Sequence, residues 1–263
     1  MKFYKYCGAG NDFILIDCRA LTVTDAPELA KRLCDRHFGI GADGLMLVER
    51  PERGGDCKMR FYNNDGSTAE MCGNGARCIS KFCRDFGLSG ETQRIETTAG
   101  LVVGTRVGEN RYRVRLNAPQ NIRLQTTAAG VICDYLELGD PGIPHAVIVT
   151  DLSQERDVLR QLARKVRFAP EFPRGANVNL CQITGENELR LLTYERGVED
   201  FTLACGTGNG ATAAALTLRG LLSGRGTKIQ NEGGMLEVDI IPETPLGVDL
   251  TGEAKLIFVG ETE

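Results

Sequence analysis

Short apolar runs recur along the chain, and their order in the first half is repeated in the second. The first half opens with an apolar run at residues 13–16, and the second half has a similar run at residues 146–149. Turn-forming Gly, Pro or Asn residues precede both runs, as is typical of strands. The two runs are 133 positions apart. The pattern therefore predicts two halves that begin with equivalent strands.

The elements that follow these strands are predicted in the same order in each half. Helices are predicted at residues 26–38 and 155–168. Strands are predicted at residues 45–48 and 58–62 in the first half, and at residues 178–183 and 188–194 in the second. Hairpins are predicted later in each half, between residues 101–104 and 112–116, and between residues 235–241 and 255–259.

Two cysteines head near-copies of one short motif, Cys72-Gly-Asn-Gly-Ala and Cys205-Gly-Thr-Gly-Asn-Gly-Ala. They are again 133 positions apart, so the repeat extends over the whole chain. A chain of 263 residues can form two domains that each bury a core. We predict an α/β (α+β) fold of two pseudo-symmetric domains, at residues 1–117 with a C-terminal return at about 252–263, and at residues 118–251.

The helices that begin at the two cysteines carry few charges on any face. Residues 211–216 read Ala-Thr-Ala-Ala-Ala-Leu, and the helix after Cys72 contains Ala76, Cys78, Ile79 and Phe82. A helix without a polar face is a buried helix. We therefore predict that each domain is a curled, mostly antiparallel sheet wrapped around this central helix.

Composition and charge narrow the classes of function. Hydrophobic residues make up 42% and charged residues 25% of the chain, and no apolar run approaches the roughly 20 residues of a membrane-spanning helix. The N-terminal residues lack the pattern of a secretory signal, so a cytoplasmic protein is expected. A net charge of −4 without a basic block argues against a nucleic-acid partner and favours a small molecule.

The ten cysteines are expected to be reduced, because a cytoplasmic chain of this length does not need disulfides. Seven are interpreted as small buried hydrophobes: Cys18, Cys34, Cys57, Cys78, Cys83, Cys133 and Cys181. No metal site is predicted, because the sequence lacks a Cys-x2-Cys pair and its two histidines, His37 and His145, are far apart. The segment at residues 39–44 fits G-x-G-x-x-G, but it follows a helix and precedes a strand, so it is interpreted as a turn.

The glycines after Cys72 and Cys205 indicate the chemistry of the two motifs. They leave the N–H groups of the first helical turn open to an anion such as a carboxylate. The same end of the helix dipole stabilises a thiolate and lowers the pKa of a cysteine from its usual value of about 8.5. Each motif can therefore supply both a base and a cradle for a carboxylate.

Two such motifs facing one cleft between the domains would suit an enzyme that inverts a carbon atom. Removal of the α-proton of an amino acid places negative charge on its carboxylate, where each well-placed donor contributes roughly 3 kcal/mol. A thiolate on one face and a thiol on the other complete a two-base inversion. No lysine motif or phosphate loop for pyridoxal phosphate is apparent, so no cofactor is expected.

Longer motifs carry a resemblance to a known family: Gly8-Ala-Gly-Asn-Asp-Phe, Phe61-Tyr-Asn-Asn-Asp-Gly-Ser, Cys72-Gly-Asn-Gly-Ala-Arg-Cys, and Tyr194-Glu-Arg-Gly with Ala204-Cys-Gly-Thr-Gly. Over essentially the whole chain they resemble the diaminopimelate epimerase family. The resemblance implies a cofactor-independent conversion of LL-diaminopimelate to the meso form, for lysine and peptidoglycan synthesis, in a cytoplasmic homodimer.

The resemblance also implies roles for individual residues. It makes Cys72 and Cys205 the acid/base thiols, with His145 and Glu195 tuning their pKa values. The implied substrate contacts are Asn11, Asn63, Gly73, Asn74, Asn177, Glu195, Arg196, Gly206 and Thr207. From the residues alone, the alternatives are that Arg196 is a solvated charge, that Asn63 and Asn177 are turn residues, and that His145 is a core residue.

Two positions depart from the family pattern. Ile143 stands where the family often has Asn, and Gly44 stands where it often has Gln, and both family residues contact substrate. Two alternatives to diaminopimelate therefore stay open. The first is a cofactor-independent racemase of another amino acid, such as histidine. The second, of another class, is a ligand-binding module in which Cys72 and Cys205 form a redox-sensing pair.

Overall fold

The chain divides into two units that contain the same order of elements. A computed structural model describes residues 1–69, 72–98, 100–139 and 141–262, with the backbone alone at Ala69. The first unit is Met1–Val114 together with the C-terminal residues from Gly252, and the second unit is Arg115–Thr251. No helix in the described part of the chain is long and apolar enough to cross a membrane.

The first unit has two helices, and all of its elements but one strand precede residue 117. Its elements are β1 (Lys2–Gly8), β2 (Asn11–Asp17), α1 (Ala26–Cys34), β3 (Gly44–Glu49), β4 (Cys57–Asn63), β5 (Thr68–Ala69), α2 (Gly73–Asp85), β6 (Thr92–Thr97), β7 (Gly100–Arg106) and β8 (Arg111–Leu116). The last strand of the chain, β18 (Lys255–Glu261), also belongs to this unit.

The second unit repeats this order. Its elements are β9 (Pro119–Ala128), β10 (Val131–Gly139), β11 (Gly142–Val149), α3 (Arg156–Arg167), β12 (Asn177–Gly185), β13 (Glu188–Tyr194), β14 (Phe201–Thr202), α4 (Gly206–Leu218), β15 (Thr227–Asn231), β16 (Gly234–Ile241) and β17 (Gly247–Glu253).

Both sheets are mostly antiparallel and have matching topology. In the first unit the strands pair in the order β18-β1-β2-β3-β4-β6-β7-β8, and only the β2–β3 and β4–β6 pairs are parallel among those described. In the second unit the order is β9-β10-β11-β12-β13-β15-β16, with β11–β12 and β13–β15 parallel. Parallel neighbours need a crossover, and α1, α2, α3 and α4 provide the four crossovers. The predicted fold class is confirmed.

The helix after each cysteine is the central helix of its unit. α2 packs against β1, β2, β6 and β7, which lie at separate places in the sheet order, so the sheet curls around it. α4 packs in the same way against β9–β12 and β16. In α4, residues 208–216 are all buried, as predicted for a helix without a polar face. In α2 the buried residues are interrupted by Lys81, which pairs with Asp85 at 3.1 Å.

α1 ends earlier than predicted. The sequence pattern suggested a helix as far as residue 38, but α1 ends at Cys34. Asp35 leaves the helical conformation, and its carboxylate accepts hydrogen bonds from the backbone N–H groups of His37 and Phe38, both at 2.7 Å. Aspartate competes with helix continuation in this way because its short side chain reaches nearby backbone donors. Phe38 is consequently 94% exposed.

The predicted hairpin between residues 235–241 and 255–259 is wrong. Residues 255–261 form β18, which pairs with β1 in antiparallel register, with Tyr4 opposite Val259. β16 pairs instead with β15. The prediction failed because β1 was not identified as a strand, so the true partner of β18 was missing from the predicted elements.

Loss of the central aromatic contact of α2 should destabilise the fold. Phe82 is fully buried, and its ring stacks on Phe86 with 4.4 Å between centroids and meets the edge of Tyr4 at 5.4 Å. We expect Phe82→Ala to lower the free energy of unfolding by about 3–5 kcal/mol, measured by urea denaturation. Phe38→Ala removes the same side chain from an exposed site and should change it by less than about 0.5 kcal/mol. Similar losses in both variants would contradict this account of the core.

Candidate functional site

Cys72 is the N-cap residue of α2. Its backbone is extended, with φ −137° and ψ 120°, and its Sγ accepts a hydrogen bond from the N–H of Gly75 at 3.5 Å. The sulfur therefore lies at the positive end of the helix dipole, against the N–H groups of the first turn. Cys72 is half-buried, which leaves its side chain within reach of a small molecule.

A chain of amides orients the groups around Cys72. The Sγ of Cys72 donates to Oδ1 of Asn11 at 3.5 Å, and Nδ2 of Asn74 donates to the same oxygen at 3.4 Å. Nδ2 of Asn11 donates to the carboxylate of Asp43. The amide of Asn11 is thus fixed with its oxygen toward the sulfur. This oxygen could accept from a thiol or from a substrate ammonium group.

Asn63 lies at the end of β4 in a tight turn. Its Nδ2 donates to Oγ of Ser67 at 2.9 Å, and its backbone N–H donates to the carbonyl of Ser67 at 2.9 Å. The side chain thus makes the contacts of a turn residue. Its predicted role in substrate binding stays a prediction.

Cys205 has the same position on α4 that Cys72 has on α2. It is the N-cap residue, with φ −112° and ψ 113°, and its Sγ accepts from the N–H of Gly208 at 3.4 Å. The Oγ1 of Thr207 lies 3.4 Å from the same sulfur. Gly206 and Thr207 form the first turn of α4, as Gly73 and Asn74 form that of α2. Both cysteines therefore have the geometry predicted for a thiolate at a helix N-terminus.

His145 is fully buried under the first turn of α4. Its Nδ1 is 3.1 Å from Nδ2 of Asn179, whose Oδ1 accepts from Oγ1 of Thr193 at 2.9 Å. A Cβ atom at Gly208 would lie 2.5 Å from Oδ1 of Asn179, so only glycine lets the helix approach this network. Burial, reinforced by the charge of Arg196, lowers the pKa of His145 to about 3. The imidazole is therefore neutral near pH 7.

Asn179 and Thr193 were not singled out by the sequence analysis. Asn179 is fully buried, and Thr193 is 2% exposed. The available signal was a polar residue inside the apolar run of β12, two positions after Asn177. A buried amide on a strand requires hydrogen-bond partners, and such a residue often marks a polar network.

Arg196 is the least compensated of a group of neighbouring arginines. Arg167 pairs with Glu199 at 2.7 Å, and Arg174 pairs with Glu137 at 2.6 Å. Arg196 has no carboxylate partner among the described residues, and its Nη1 donates to the carbonyl of Arg174 at 3.1 Å. Burial and the charges of Arg167 and Arg174 lower the pKa of Arg196. An anion could bind there.

Two further predicted residues lie beside Arg196. Oδ1 of Asn177 accepts from the backbone N–H of Arg196 at 2.8 Å, so this amide holds the segment that carries the arginine. Oε2 of Glu195 accepts from Oγ1 of Thr202 at 2.9 Å, which links Glu195 to the strand just before Cys205. The structure thus brings Asn177, Glu195 and Arg196 together at the end of β13.

The two departures from the family pattern have different surroundings. A Cβ atom at Gly44 would lie 2.4 Å from Cε2 of Phe61 and 2.7 Å from the carbonyl oxygen of Tyr62. A longer side chain at position 44 therefore requires the ring of Phe61 to move. Ile143 is half-buried on β11, two residues before His145.

No group of three or more His, Cys, Asp or Glu side chains in the described ranges lies close enough together to hold a metal ion. The first unit offers amide side chains and a backbone N–H group around Cys72, and the second unit offers a first-turn N–H group beside Cys205 and the guanidinium of Arg196. N–H and guanidinium groups donate to carboxylates, and amide oxygens accept from ammonium groups.

Comparisons with known proteins identify the family of the chain. A family model described as diaminopimelate epimerase matches residues 3–121 and 139–257. Diaminopimelate epimerase from Aquifex aeolicus is 36% identical over 275 residues, covering 99% of this chain and 97% of the relative. Diaminopimelate epimerase from Caldanaerobacter subterraneus is 36% identical over 281 residues, covering all of both chains. The chain belongs to the diaminopimelate epimerase family.

Solved structures of other enzymes share the fold at low identity. A hydroxyproline epimerase from Agrobacterium vitis matches with a TM-score of 0.72 and 16% identity, over 100% of this chain and 90% of that one. A probable proline racemase from Agrobacterium radiobacter K84 matches with a TM-score of 0.70 and 20% identity, over 100% and 92%. At these identities the likeness shows a common fold only.

Burial of neutral His145 should make stability depend on pH. The pKa of His145 is lower in the folded protein than the value of about 6.5 in the unfolded chain. The contribution of His145 to the free energy of unfolding is therefore fully present above about pH 6.5. It falls as the pH drops toward 3, by up to about 1.4 kcal/mol per pH unit. We expect urea denaturation to show that the free energy of unfolding of His145→Gln decreases less between about pH 6.5 and pH 4.5 than that of wild type.

The second histidine of the chain is a matched control. His37 is exposed, so His37→Gln should leave the pH dependence of wild type in this window. In proton NMR, the Cε1–H resonance that disappears in His145→Gln should not shift between about pH 5 and pH 8. A resonance of His145 that titrates in this range would contradict the assignment.

Proposed function

We propose that this protein inverts one α-carbon of LL-2,6-diaminopimelate to give meso-diaminopimelate by a two-base mechanism without a cofactor, as a step toward lysine and peptidoglycan precursors. The main support is that two cysteines, each the N-cap of the central helix of its unit, have the same hydrogen bond to a first-turn N–H group. Membership of the diaminopimelate epimerase family supports the choice of reaction and substrate.

In the proposed reaction one cysteine is a thiolate and the other a thiol. The thiolate removes the α-proton, so the C–H bond breaks, an S–H bond forms and the electron pair spreads into the substrate carboxylate. The second thiol then gives its proton to the opposite face of the same carbon and becomes the thiolate. The protein ends with the two protonation states exchanged, and no oxidant or reductant is consumed.

First-turn N–H groups would stabilise the charge that develops on the carboxylate. Gly73 and Asn74 supply them beside Cys72, and Gly206 and Thr207 supply them beside Cys205. Hydrogen bonds from these donors are stronger in the transition state, where the carboxylate is enolate-like, than in the ground state. Each contributes roughly 3 kcal/mol of transition-state stabilisation. This is how the chain would acidify an α-proton without pyridoxal phosphate.

The other predicted residues would hold the distal end of the substrate or tune the thiols. Arg196, which lacks a carboxylate partner among the described residues, would bind the distal carboxylate. Asn11 offers Oδ1 to an ammonium group, while Asn63, Asn177 and Glu195 would complete the contacts. Neutral His145 would act on Cys205 through Asn179 and the turn at Gly208. We also propose that the protein is a cytoplasmic homodimer.

Isotope exchange tests the reaction and the substrate together. In deuterium oxide, the reduced protein should exchange the α-proton of LL-diaminopimelate and produce the meso form, both followed by NMR. Cys72→Ala and Cys205→Ala should each lower epimerisation by at least about 10³-fold, because each face loses its only acid/base group. Cys133→Ala, at a buried core cysteine, should stay close to wild type.

The open alternatives are outcomes of the same measurement. Preferential exchange with another amino acid, such as histidine, would show that this amino acid is the substrate and would leave the two-thiol mechanism in place. Absence of exchange with every amino acid, in protein shown to be reduced, would reject the epimerase and favour a redox-sensing module. An epimerase is active only in the reduced state.

Removal of the Arg196 charge should weaken binding of a dicarboxylic substrate. A lost charge-assisted hydrogen bond costs about 1.5–3 kcal/mol, so we expect Arg196→Gln to raise KM for diaminopimelate about ten- to a hundredfold. Arg156→Gln is the matched control, because Arg156 is an exposed arginine that pairs with Glu232 on the surface of the same unit. An unchanged KM in Arg196→Gln would remove Arg196 from the binding site.

A further inference from the structure

Arg77 is a fully buried arginine inside the central helix of the first unit. It is 0% exposed and lies one turn after Cys72. Its Nη1 donates to the carbonyl of Gly73 at 3.2 Å, and its Nη2 donates to Oδ1 of Asn74 at 2.9 Å. Its Nε has no hydrogen-bond partner among the described residues. The guanidinium thus faces the N-terminal turn that carries Cys72.

No carboxylate pairs with Arg77 in the part of the chain that the structure describes. A buried arginine keeps its proton, and a buried charge without a counter-charge is costly. Burial lowers the pKa of Arg77, and the titratable groups that interact electrostatically with it are the thiols of Cys78, Cys72 and Cys7. Burial raises the pKa values of Cys7 and Cys78, so these two stay neutral. Cys72 is the remaining group that could supply a negative charge.

Four charged groups in the described part of the chain form a network around Asn11, the amide that contacts Cys72, and they compensate one another. They are Lys5, Asp12, Arg36 and Asp43. Lys5 pairs with Asp12 at 2.7 Å, and Arg36 pairs with Asp12 at 2.8 Å and with Asp43 at 2.7 Å. Burial opposes ionisation of Asp12, but hydrogen bonds from Arg36 and Lys5 bring its pKa to about 2. These two cations and two carboxylates offset each other, so among the described residues of the first unit's site Arg77 is the cation without a carboxylate partner.

The second unit has no cation at the matching position. Gly210 lies five residues after Cys205, as Arg77 lies five residues after Cys72. A Cβ atom at Gly210 would lie 2.7 Å from Leu116 and 3.0 Å from Val248, so an arginine does not fit there. Among the described residues, the titratable groups on neighbouring segments of the second unit include neutral His145, Glu195 and Arg196. The two thiols have similar hydrogen bonds but different electrostatic surroundings.

We propose that Arg77 is a positioning residue that supplies the fixed positive charge beside Cys72, so that Cys72 is the thiolate and Cys205 the thiol in the resting protein. The same guanidinium orients the amide of Asn74, whose Nδ2 donates to Oδ1 of Asn11. That oxygen accepts from the protonated form of Cys72, so in the resting protein the charge of Arg77 and the N–H of Gly75 outweigh this contact. The inference deepens the proposed function, since it assigns which cysteine begins as the base.

The wild-type protein provides the first test. Alkylation by iodoacetamide reports the thiolate, and peptide mass spectrometry separates Cys72 from Cys205 in one reaction. For each cysteine the alkylation rate is measured against pH, and the midpoints of the two profiles are compared. The maximal alkylation rates are not compared, because they also depend on the different exposure of the two sulfurs. We expect the midpoint of Cys72 to lie at least about one pH unit below that of Cys205. Equal midpoints, or the reverse order, would overturn the proposal.

Variants identify the source of the difference. Arg77→Met should raise the alkylation midpoint of Cys72 by about one pH unit or more. At a pH below the wild-type and variant midpoints, Cys72 should then react about tenfold more slowly than in wild type. The midpoint of Cys205 should not change. Arg77→Lys keeps a charge and should restore most of the wild-type midpoint. Arg84→Met is the matched control on the same helix, because Arg84 pairs with Glu91 at 3.1 Å and is 42% exposed.

An unchanged Cys72 midpoint in folded Arg77→Met would overturn the role of Arg77. If Arg77→Met does not fold, the comparison of Arg77→Lys with Arg84→Met and the wild-type difference decide the question. A midpoint of Cys72 that moves only when a carboxylate ligand is present would also reject the proposal, since the counter-charge would then be the ligand. Alkylation needs no turnover, so a failed exchange experiment would not affect this result.

Discussion

The structure depends on the close approach of a helix N-terminus to a sheet that curls around it. In each unit the central helix begins at a cysteine whose sulfur accepts a first-turn N–H group, at 3.5 Å for Cys72 and 3.4 Å for Cys205. The approach is possible because the first turn is made of small residues. At Gly208 a single added carbon would meet the buried amide of Asn179 at 2.5 Å. The glycines therefore serve packing and anion binding at once.

The interior that holds these helices is not uniformly apolar. Arg77, His145 and Asn179 are all fully buried near the two helix N-termini. The guanidinium of Arg77 bonds to the first turn of its own helix, and Asn179, which lies against Gly208, contacts His145. A polar group buried this deeply destabilises the fold unless it is hydrogen-bonded or paired with an opposite charge. When it is, it fixes one arrangement of the surrounding side chains. In the second unit the network is neutral and mostly paired. In the first unit it contains a charge whose counter-ion is not a carboxylate of the described residues.

The sequence predicted best those elements whose own residues determine them. The strand at 188–194 and the helices after the two cysteines follow from alternation, apolar runs and glycine. β1 was missed because the charged Lys5 interrupts its apolar residues. Lys5 is buried because it pairs with Asp12 and donates to the carbonyl of Gly41. The partner of β18 was missed for the same reason. Arg77 was part of a recognised motif, but burial of an arginine is decided by the tertiary structure and cannot be inferred from a motif.

Duplication gives the two thiols equal geometry, yet a two-base inversion needs them in different protonation states. Two identical sites would share one proton without preference, so the resting protein would be divided between two forms. A fixed charge in one half removes this degeneracy. It also carries a cost, because a site that stabilises one thiolate resists its protonation when the reaction exchanges the two states. The charge can therefore favour the Cys72 thiolate only modestly if the reaction is to run in both directions.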